Sequence, residues 1–132
     1  MPRYRVDENR ERYIQLIRGL VKESKHGEEA LQRSIAEKLS MLGCEVETLK
    51  LLPIGLSPDK EFAAEESMSL SERVSVVGRL AVVGGGRSLM LFAHPDSEEL
   101  RGLDEWTHDP FEAEVQDGRV YGWGVADDLL GV

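Results

Sequence analysis

The chain has 132 residues, 41% of them hydrophobic and 31% charged, which predicts one globular domain, or part of one, and excludes a disordered chain. Its formal charge of -9 repels phosphate backbones, so it argues against a nucleic-acid partner held by counterion release. The acidity otherwise identifies no binding partner.

The cysteine count and the hydropathy pattern bear on the cellular compartment. Cys44 is the single cysteine, so no intrachain disulfide can form, and its place at the start of a predicted strand favours a buried structural thiol. The N-terminal residues lack the apolar run of a secretory signal, and no stretch reaches the roughly 18 apolar residues that a membrane helix needs. We therefore expect a cytoplasmic protein with no membrane partner.

Two amphipathic helices are predicted first along the chain. From about Asp7 to Glu23 the apolar residues recur at three- and four-residue spacing, which places them on one face of a helix. A second helix is predicted to begin at Glu28 and Glu29, whose negative charges suit the positive end of a helix. Gly43 is well placed to end it.

Strands follow the helices. In the segment 44–49, Cys44, Val46 and Thr48 alternate with Glu45, Glu47 and Leu49, which predicts a strand with one solvent-facing side. Residues 53–71 are rich in charged residues and serine, which indicates a surface excursion. The apolar runs 73–83 and 88–93 are joined by glycines and predict a hairpin. Because the second run does not alternate, we expect it to be buried on both faces of a sheet covered by helices.

A short hairpin is also predicted over residues 112–121, with Asp117-Gly118 as its turn.

His94 and Asp96 directly follow the apolar run that ends at Ala93. Functional residues gather at such strand ends in open α/β sheets. Asp96 can accept a hydrogen bond from the imidazole N–H that does not face a metal, which fixes the tautomer and the ring orientation. A lone histidine is more often structural, and a His-x-Asp triplet is common by chance.

A second candidate element is the glycine-rich segment 122–128. Two glycines permit a close backbone path, and Asp127 then lies at the start of a helix predicted near Leu129. A carboxylate at this place could bridge two cations. The alternative is that Asp127 or Asp128 only caps the helix.

Three segments in a fixed order carry a family resemblance: Leu-Phe-Ala-His-Pro-Asp at 91–96, Trp-Thr-His-Asp-Pro-Phe at 106–111, and Asp-Gly-Arg-Val-Tyr-Gly-Trp-Gly-Val-Ala-Asp-Asp at 117–128. This order resembles the N-terminal part of the zinc aminoacylase family of metallopeptidases, which includes acetylornithine deacetylase, succinyl-diaminopimelate desuccinylase and carboxypeptidase G. The resemblance implies an α/β fold in which residues 1–132 form a partial zinc-exopeptidase-like catalytic domain. That domain would have a mixed β-sheet flanked by helices, would be truncated at the C-terminus, and would have no second domain beside it.

The resemblance also implies residue roles and a reaction. The histidine at the position of His94 binds one metal, the aspartate at the position of Asp127 bridges two zinc ions, and the aspartate at the position of Asp96 orients the histidine. The peptide bond between Asp127 and Asp128 would be cis. The implied activity is hydrolysis of an amide bond in N-acyl amino acids or small peptides, with cobalt or manganese as alternatives to zinc.

The family's remaining ligands and its general base follow this region, so we expect the 132-residue chain to be inactive as a fragment. Its uncovered apolar surface would favour a homo-oligomer. His26 and His108 match no ligand position and are expected to be exposed to solvent. Trp123 and Leu129 replace an arginine and a lysine that are common in the family, which weakens any inference about the substrate.

Two alternatives remain open at the level of the sequence. Residues 93–98 also resemble the Ala-His-Pro-Asp-Asp-Glu signature of the N-acetylglucosaminyl zinc deacetylases, but Ser97 replaces the second aspartate, which is a ligand there, and the signature lies far from the N-terminus. The other alternative is a non-catalytic interaction module derived from the aminoacylase family, whose exposed sheet binds a partner.

Overall fold

The computed structural model of the chain describes residues 6–52, 72–97 and 99–132. The predicted surface excursion at 53–71 lies outside these ranges. The chain divides into two compact units, one formed by Met1–Ser34 with Gly84–Val132 and the other by Ile35–Val83. The helices and strands are α1 (Arg10–Ser24), α2 (Glu28–Met41), β1 (Glu45–Leu51), β2 (Arg73–Arg79), β3 (Glu114–Gln116) and β4 (Arg119–Tyr121).

Both N-terminal helices are confirmed. A single 3-10 turn, Val6–Asn9, precedes α1, and the α2 chain turns out of the helix at Gly43, which has a φ of 87°. Side-chain spacing predicted these helices well because each repeats an apolar position every three or four residues, and that period is a property of the local sequence.

The core of the first unit forms between α1 and a short turn near the end of the chain. This turn, Val125–Leu129, is closed by wide hydrogen bonds from Leu129 N to Gly124 O and from Leu130 N to Val125 O, 3.1 and 3.2 Å long. A Cβ on Gly122 would lie 3.2 Å from a methyl carbon of Val21, so the backbone that leads into the turn rests on α1. The buried apolar residues are Leu20, Val21, Leu31, Ala113, Val125 and Leu129.

The second unit contains β1 and β2, which pair antiparallel with Glu45 opposite Arg79. A Cβ on Gly78 would lie 3.0 Å from a methyl carbon of Leu39 in α2, so a side chain there would require Leu39 to shift by a few tenths of an ångström. Cys44, predicted to be buried, is half-buried at the entrance to β1.

The predicted hairpin between runs 73–83 and 88–93 is wrong, because β2 pairs with β1. The second run is not a strand, and its residues Leu89–Phe92 are 82 to 91% exposed. A strand buried on both faces needs strands beside it and helices above and below. The described residues around this run provide neither, so local sequence alone does not order it.

The predicted mixed sheet is also wrong for the described residues, which form two separate antiparallel pairs, β1 with β2 and β3 with β4. The second pair is the predicted hairpin. Its turn residues Asp117 and Gly118 both have positive φ, 49° and 76°, as a two-residue hairpin turn requires. The described residues contain both helices and strands, which confirms the α/β class.

Among the helices of the described ranges, none has both the length and the apolar character needed to cross a membrane.

Candidate metal centre

The two predicted metal ligands converge within the first unit. His94 lies in an extended segment after the exposed apolar run, and Asp127 lies in the turn Val125–Leu129. His94 Nε2 is 3.2 Å from Asp127 Oδ1, and both side chains are more than half exposed. The family resemblance implied this proximity, because both residues would hold the same metal pair. In the structure, an irregular segment carries His94 to the same place.

The other ring nitrogen of His94 faces Asp96. Nδ1 is 3.1 Å from the backbone carbonyl oxygen of Asp96 and 3.5 Å from its carboxylate. Because a carbonyl oxygen only accepts hydrogen bonds, Nδ1 donates and carries the proton. In the neutral ring, Nε2 then has its lone pair free to face Asp127, which is the tautomer that a metal ligand requires.

The surroundings of His94 raise the pKa of its imidazole above the ordinary value of 6.5. The largest cause is the hydrogen bond to the Asp96 carbonyl, and desolvation opposes it. The negative charges of Asp96, Asp127 and Asp128 raise the pKa further. A site that concentrates negative charge around one imidazole attracts a proton, and the same field attracts a metal cation.

Gly124 brings the two segments together. Its φ of +71° favours glycine, and a Cβ at this position would overlap Ser97 Oγ and lie 3.3 Å from Ser97 Cβ. Ser97 Oγ is buried and has no hydrogen-bond partner within the described part of the chain, so its contact with Gly124 is one of packing. Ser97 follows His94 closely, and Gly124 directly precedes the turn that carries Asp127. The missing side chain at position 124 therefore permits the approach.

The peptide bond between Asp127 and Asp128 is cis, as the family resemblance implies. Both residues have non-helical backbone angles within the turn, with φ -144° and ψ 88° at Asp127 and φ -132° and ψ 37° at Asp128. The predicted helix near Leu129 is in fact this turn, so Asp127 lies inside it.

The donors present fit zinc chemically, because imidazole nitrogen and carboxylate oxygen are both zinc ligands. Two ligands about 2.0 to 2.1 Å from one tetrahedral zinc lie about 3.3 Å apart, close to the 3.2 Å between His94 Nε2 and Asp127 Oδ1. Asp96 lies at the opposite ring nitrogen and so is not on the metal side. In the three described ranges, no group of three or more His, Cys, Asp or Glu side chains is arranged to hold a metal.

The expectation that His108 is exposed is wrong. Its side chain is only 18% exposed, and its Nδ1 is 2.9 Å from Glu114 Oε2. The ring also stacks on Tyr121, with centroids 4.1 Å apart. The sequence did contain a signal for this burial. The predicted β3–β4 hairpin pairs Glu114 with Tyr121, so one histidine can contact both of these side chains. His26 is exposed as expected.

No family model matches the chain. Among curated proteins, the chain is 37% identical over 71 residues to a succinyl-diaminopimelate desuccinylase of Polynucleobacter necessarius, a match that covers 50% of this chain and 18% of the relative. A cysteinylglycine-S-conjugate dipeptidase of Corynebacterium striatum is 30% identical over 80 residues, which is 61% of this chain and 16% of the relative. A desuccinylase of Parvibaculum lavamentivorans is 35% identical over 79 residues, 58% of this chain and 18% of the relative.

Over about half its length, the chain is homologous to the desuccinylases and the dipeptidase. The resemblance inferred from the three motif segments is thereby confirmed, and the relatives' names agree with the aminoacylase interpretation. The chain spans less than a fifth of the length of these desuccinylases and of the dipeptidase.

Proposed function

We propose that this chain carries the first part of the metal centre of an amidohydrolase of the aminoacylase and desuccinylase type, acting on an amide bond of an N-acyl amino acid or small peptide. The observation that carries the proposal is the 3.2 Å separation of His94 Nε2 and Asp127 Oδ1. Homology to desuccinylases and a dipeptidase supports the hydrolase class.

In this proposal each of the three residues has a separate role. His94 would hold a metal through Nε2, Asp127 would supply the carboxylate shared by two metal ions, and Asp96 holds the imidazole ring through Nδ1. Zinc is the expected metal, with cobalt or manganese as alternatives. Lewis-acid activation of a water near neutral pH is the chemistry that a bound metal would supply there.

We also propose that the chain by itself hydrolyses amides poorly. One imidazole and one carboxylate are fewer ligands than the four that hold zinc in most protein sites. A weakly held metal has low occupancy, and the general base of the family is not among the residues that we assign.

Zinc titration followed by calorimetry tests the proposal. We expect measurable zinc binding that is lost in His94→Ala and in Asp127→Asn. Asp96→Ala should weaken binding by less than the about 10- to 100-fold typical of a lost histidine-orienting partner, because the carboxylate 3.5 Å from Nδ1 is removed while the backbone carbonyl 3.1 Å away remains. His26→Ala and Asp104→Asn are matched controls, since both residues are exposed and neither belongs to the site.

The controls should bind zinc as the unchanged chain does. Absence of zinc binding, or binding that survives both His94→Ala and Asp127→Asn, would overturn the assignment. Absence of binding would also favour the interaction-module alternative. Hydrolysis of N-acetyl amino acids, measured on the same samples, should stay close to the uncatalysed rate.

A further inference from the structure

A surface cavity of about 530 Å³ lies in the same unit as the candidate metal centre. Its lining comes from two segments of the first unit, 101–108 and 120–126. The volume falls within the range of about 300 to 1,000 Å³ that is typical of small-molecule sites. Ala126 belongs to the lining and directly precedes Asp127, so one wall of the cavity leads to a proposed metal ligand.

Aromatic side chains line this cavity, and their neighbours hold them in place. Trp106 Nε1 donates a hydrogen bond to the backbone oxygen of Arg101, 3.3 Å away. The rings of His108 and Tyr121 stack with an interplanar angle of 23°, and Glu114 holds His108 through Nδ1. Because these rings are already fixed, a flat ligand would bind without ordering them first.

The charged groups of the lining do not favour an ionic ligand. Arg101 and Glu105 have opposite charges, and the Arg101 guanidinium already pairs with Glu99 at 2.7 Å. Val120 and Val125 add apolar surface to the aromatic rings. Apolar walls with fixed rings select a flat apolar group over a small polar or charged one.

We propose that this cavity binds an aromatic side chain of the substrate, next to the amide bond that the metal centre would cleave. The substrate class is then N-acyl aromatic amino acids, or small peptides with an aromatic residue at that position. The assignment as a substrate site rests on the proposed function. Binding of an aromatic group to the cavity does not.

Tryptophan fluorescence tests this proposal, because only one of the two tryptophans lines the cavity. Trp106 belongs to the lining, whereas Trp123 packs edge-on against Phe111 with centroids 5.7 Å apart. In Trp123→Phe, the remaining Trp106 should show a saturable emission change on titration with N-acetylphenylalanine. In the matched Trp106→Phe variant, the emission of Trp123 should not change.

Side-chain selectivity is the second readout. N-acetylalanine and N-acetylaspartate should bind Trp123→Phe about ten-fold more weakly or worse, because they do not bury a ring. Adding Thr107→Phe to this variant should remove binding by filling the cavity, and adding Tyr121→Ala should weaken it. Adding Tyr13→Ala is the control, since Tyr13 lies on α1 and is 42% exposed.

The cavity proposal is overturned if no ligand changes Trp106 emission, if the three ligands bind equally, or if Thr107→Phe binds as tightly as its parent. Zinc calorimetry on the same samples separates this proposal from the proposed function. Zinc binding without aromatic selectivity overturns only the cavity proposal. Aromatic selectivity without zinc binding leaves an aromatic-binding site but overturns its assignment to a hydrolase substrate.

Discussion

At the scale of single residues, the candidate site depends on contacts on both sides of one imidazole. His94 and Asp127 were identified as candidate metal ligands from the sequence, because they belong to motifs whose order along the chain can be read without knowing the fold. The acceptor for Nδ1 could not be predicted, since the closest one is the backbone carbonyl of Asp96, and sequence patterns do not place backbone oxygens. The packing of Ser97 against Gly124 could not be predicted from the sequence either, because it joins two segments that are separate along the chain.

The Ser97–Gly124 contact leads to a prediction. Gly124→Ala should lower the free energy of unfolding by about 1 to 3 kcal/mol, because an alanine at φ +71° is strained and its methyl group meets Ser97. It should also weaken zinc binding, since the two ligand segments must move apart. Denaturant unfolding monitored by circular dichroism measures the first effect, and calorimetry measures the second.

A glycine-to-alanine substitution within α1 should have the opposite effect on the free energy of unfolding. Gly19 lies inside α1 and a Cβ there would meet no atom within 4 Å, so Gly19→Ala should stabilise the chain by about 0.5 to 1 kcal/mol. Adding Ser97→Ala to Gly124→Ala should recover part of the lost stability by removing the hydroxyl. If Gly124→Ala were as stable and as zinc-competent as the unchanged chain, the close approach would not position the site.

At the scale of secondary-structure elements, α1 supports the turn that carries Asp127. Leu20 and Val21 are 1% and 0% exposed, and Leu129 of the turn is buried in the same core. The helix was predictable because its apolar face repeats locally. Its partner was not, because nothing in the sequence of α1 specifies which distant segment will cover that face.

Leu20→Ala tests this support. The substitution should lower the free energy of unfolding by about 2 to 5 kcal/mol, the usual cost of a cavity left by a buried leucine. Leu16→Ala on the same helix is the control, because Leu16 is 39% exposed and should cost about 1 kcal/mol or less. Equal losses in urea-unfolding experiments would show that α1 does not form the core beneath the turn.

The run Leu89–Phe92 shows where prediction from local sequence stops. Its composition is that of a strand, and the hairpin β3–β4 was correctly predicted from comparable signals. The difference is that a two-residue turn fixes the hairpin locally, whereas a doubly buried strand is defined by the elements around it. Among the described residues those elements are missing, and the four side chains are exposed.

At the scale of the whole molecule, all proposed functions belong to one of the two units. His94, Asp96 and Asp127 lie in the unit that contains Gly84–Val132, as does the cavity. The other unit contains β1 and β2, to which we assign no functional residue. The net charge of -9 argued against nucleic acid, and the charges around His94 suit a cation. The exclusion of a nucleic-acid partner stays a prediction from composition, whereas the motif order indicated a hydrolase.

The stability of the fold and the binding of zinc should both depend on pH through His94. Since the fold raises the pKa of His94, protonation of this ring favours the folded state. That contribution is present below pH 6.5 and is lost as the pH rises through the raised pKa. A metal at Nε2 competes with the same proton, so zinc should bind more weakly as the pH falls.

The most direct test of the metal centre follows the His94 C2 proton by NMR across a pH titration, with and without zinc. Without zinc, the pKa should lie above 6.5. With zinc, the ring should lose its proton at lower pH, because the metal occupies Nε2, and this shift should vanish in Asp127→Asn. A titration of His94 that zinc leaves unchanged, or a zinc-induced shift that persists in Asp127→Asn, would contradict a metal shared by His94 and Asp127.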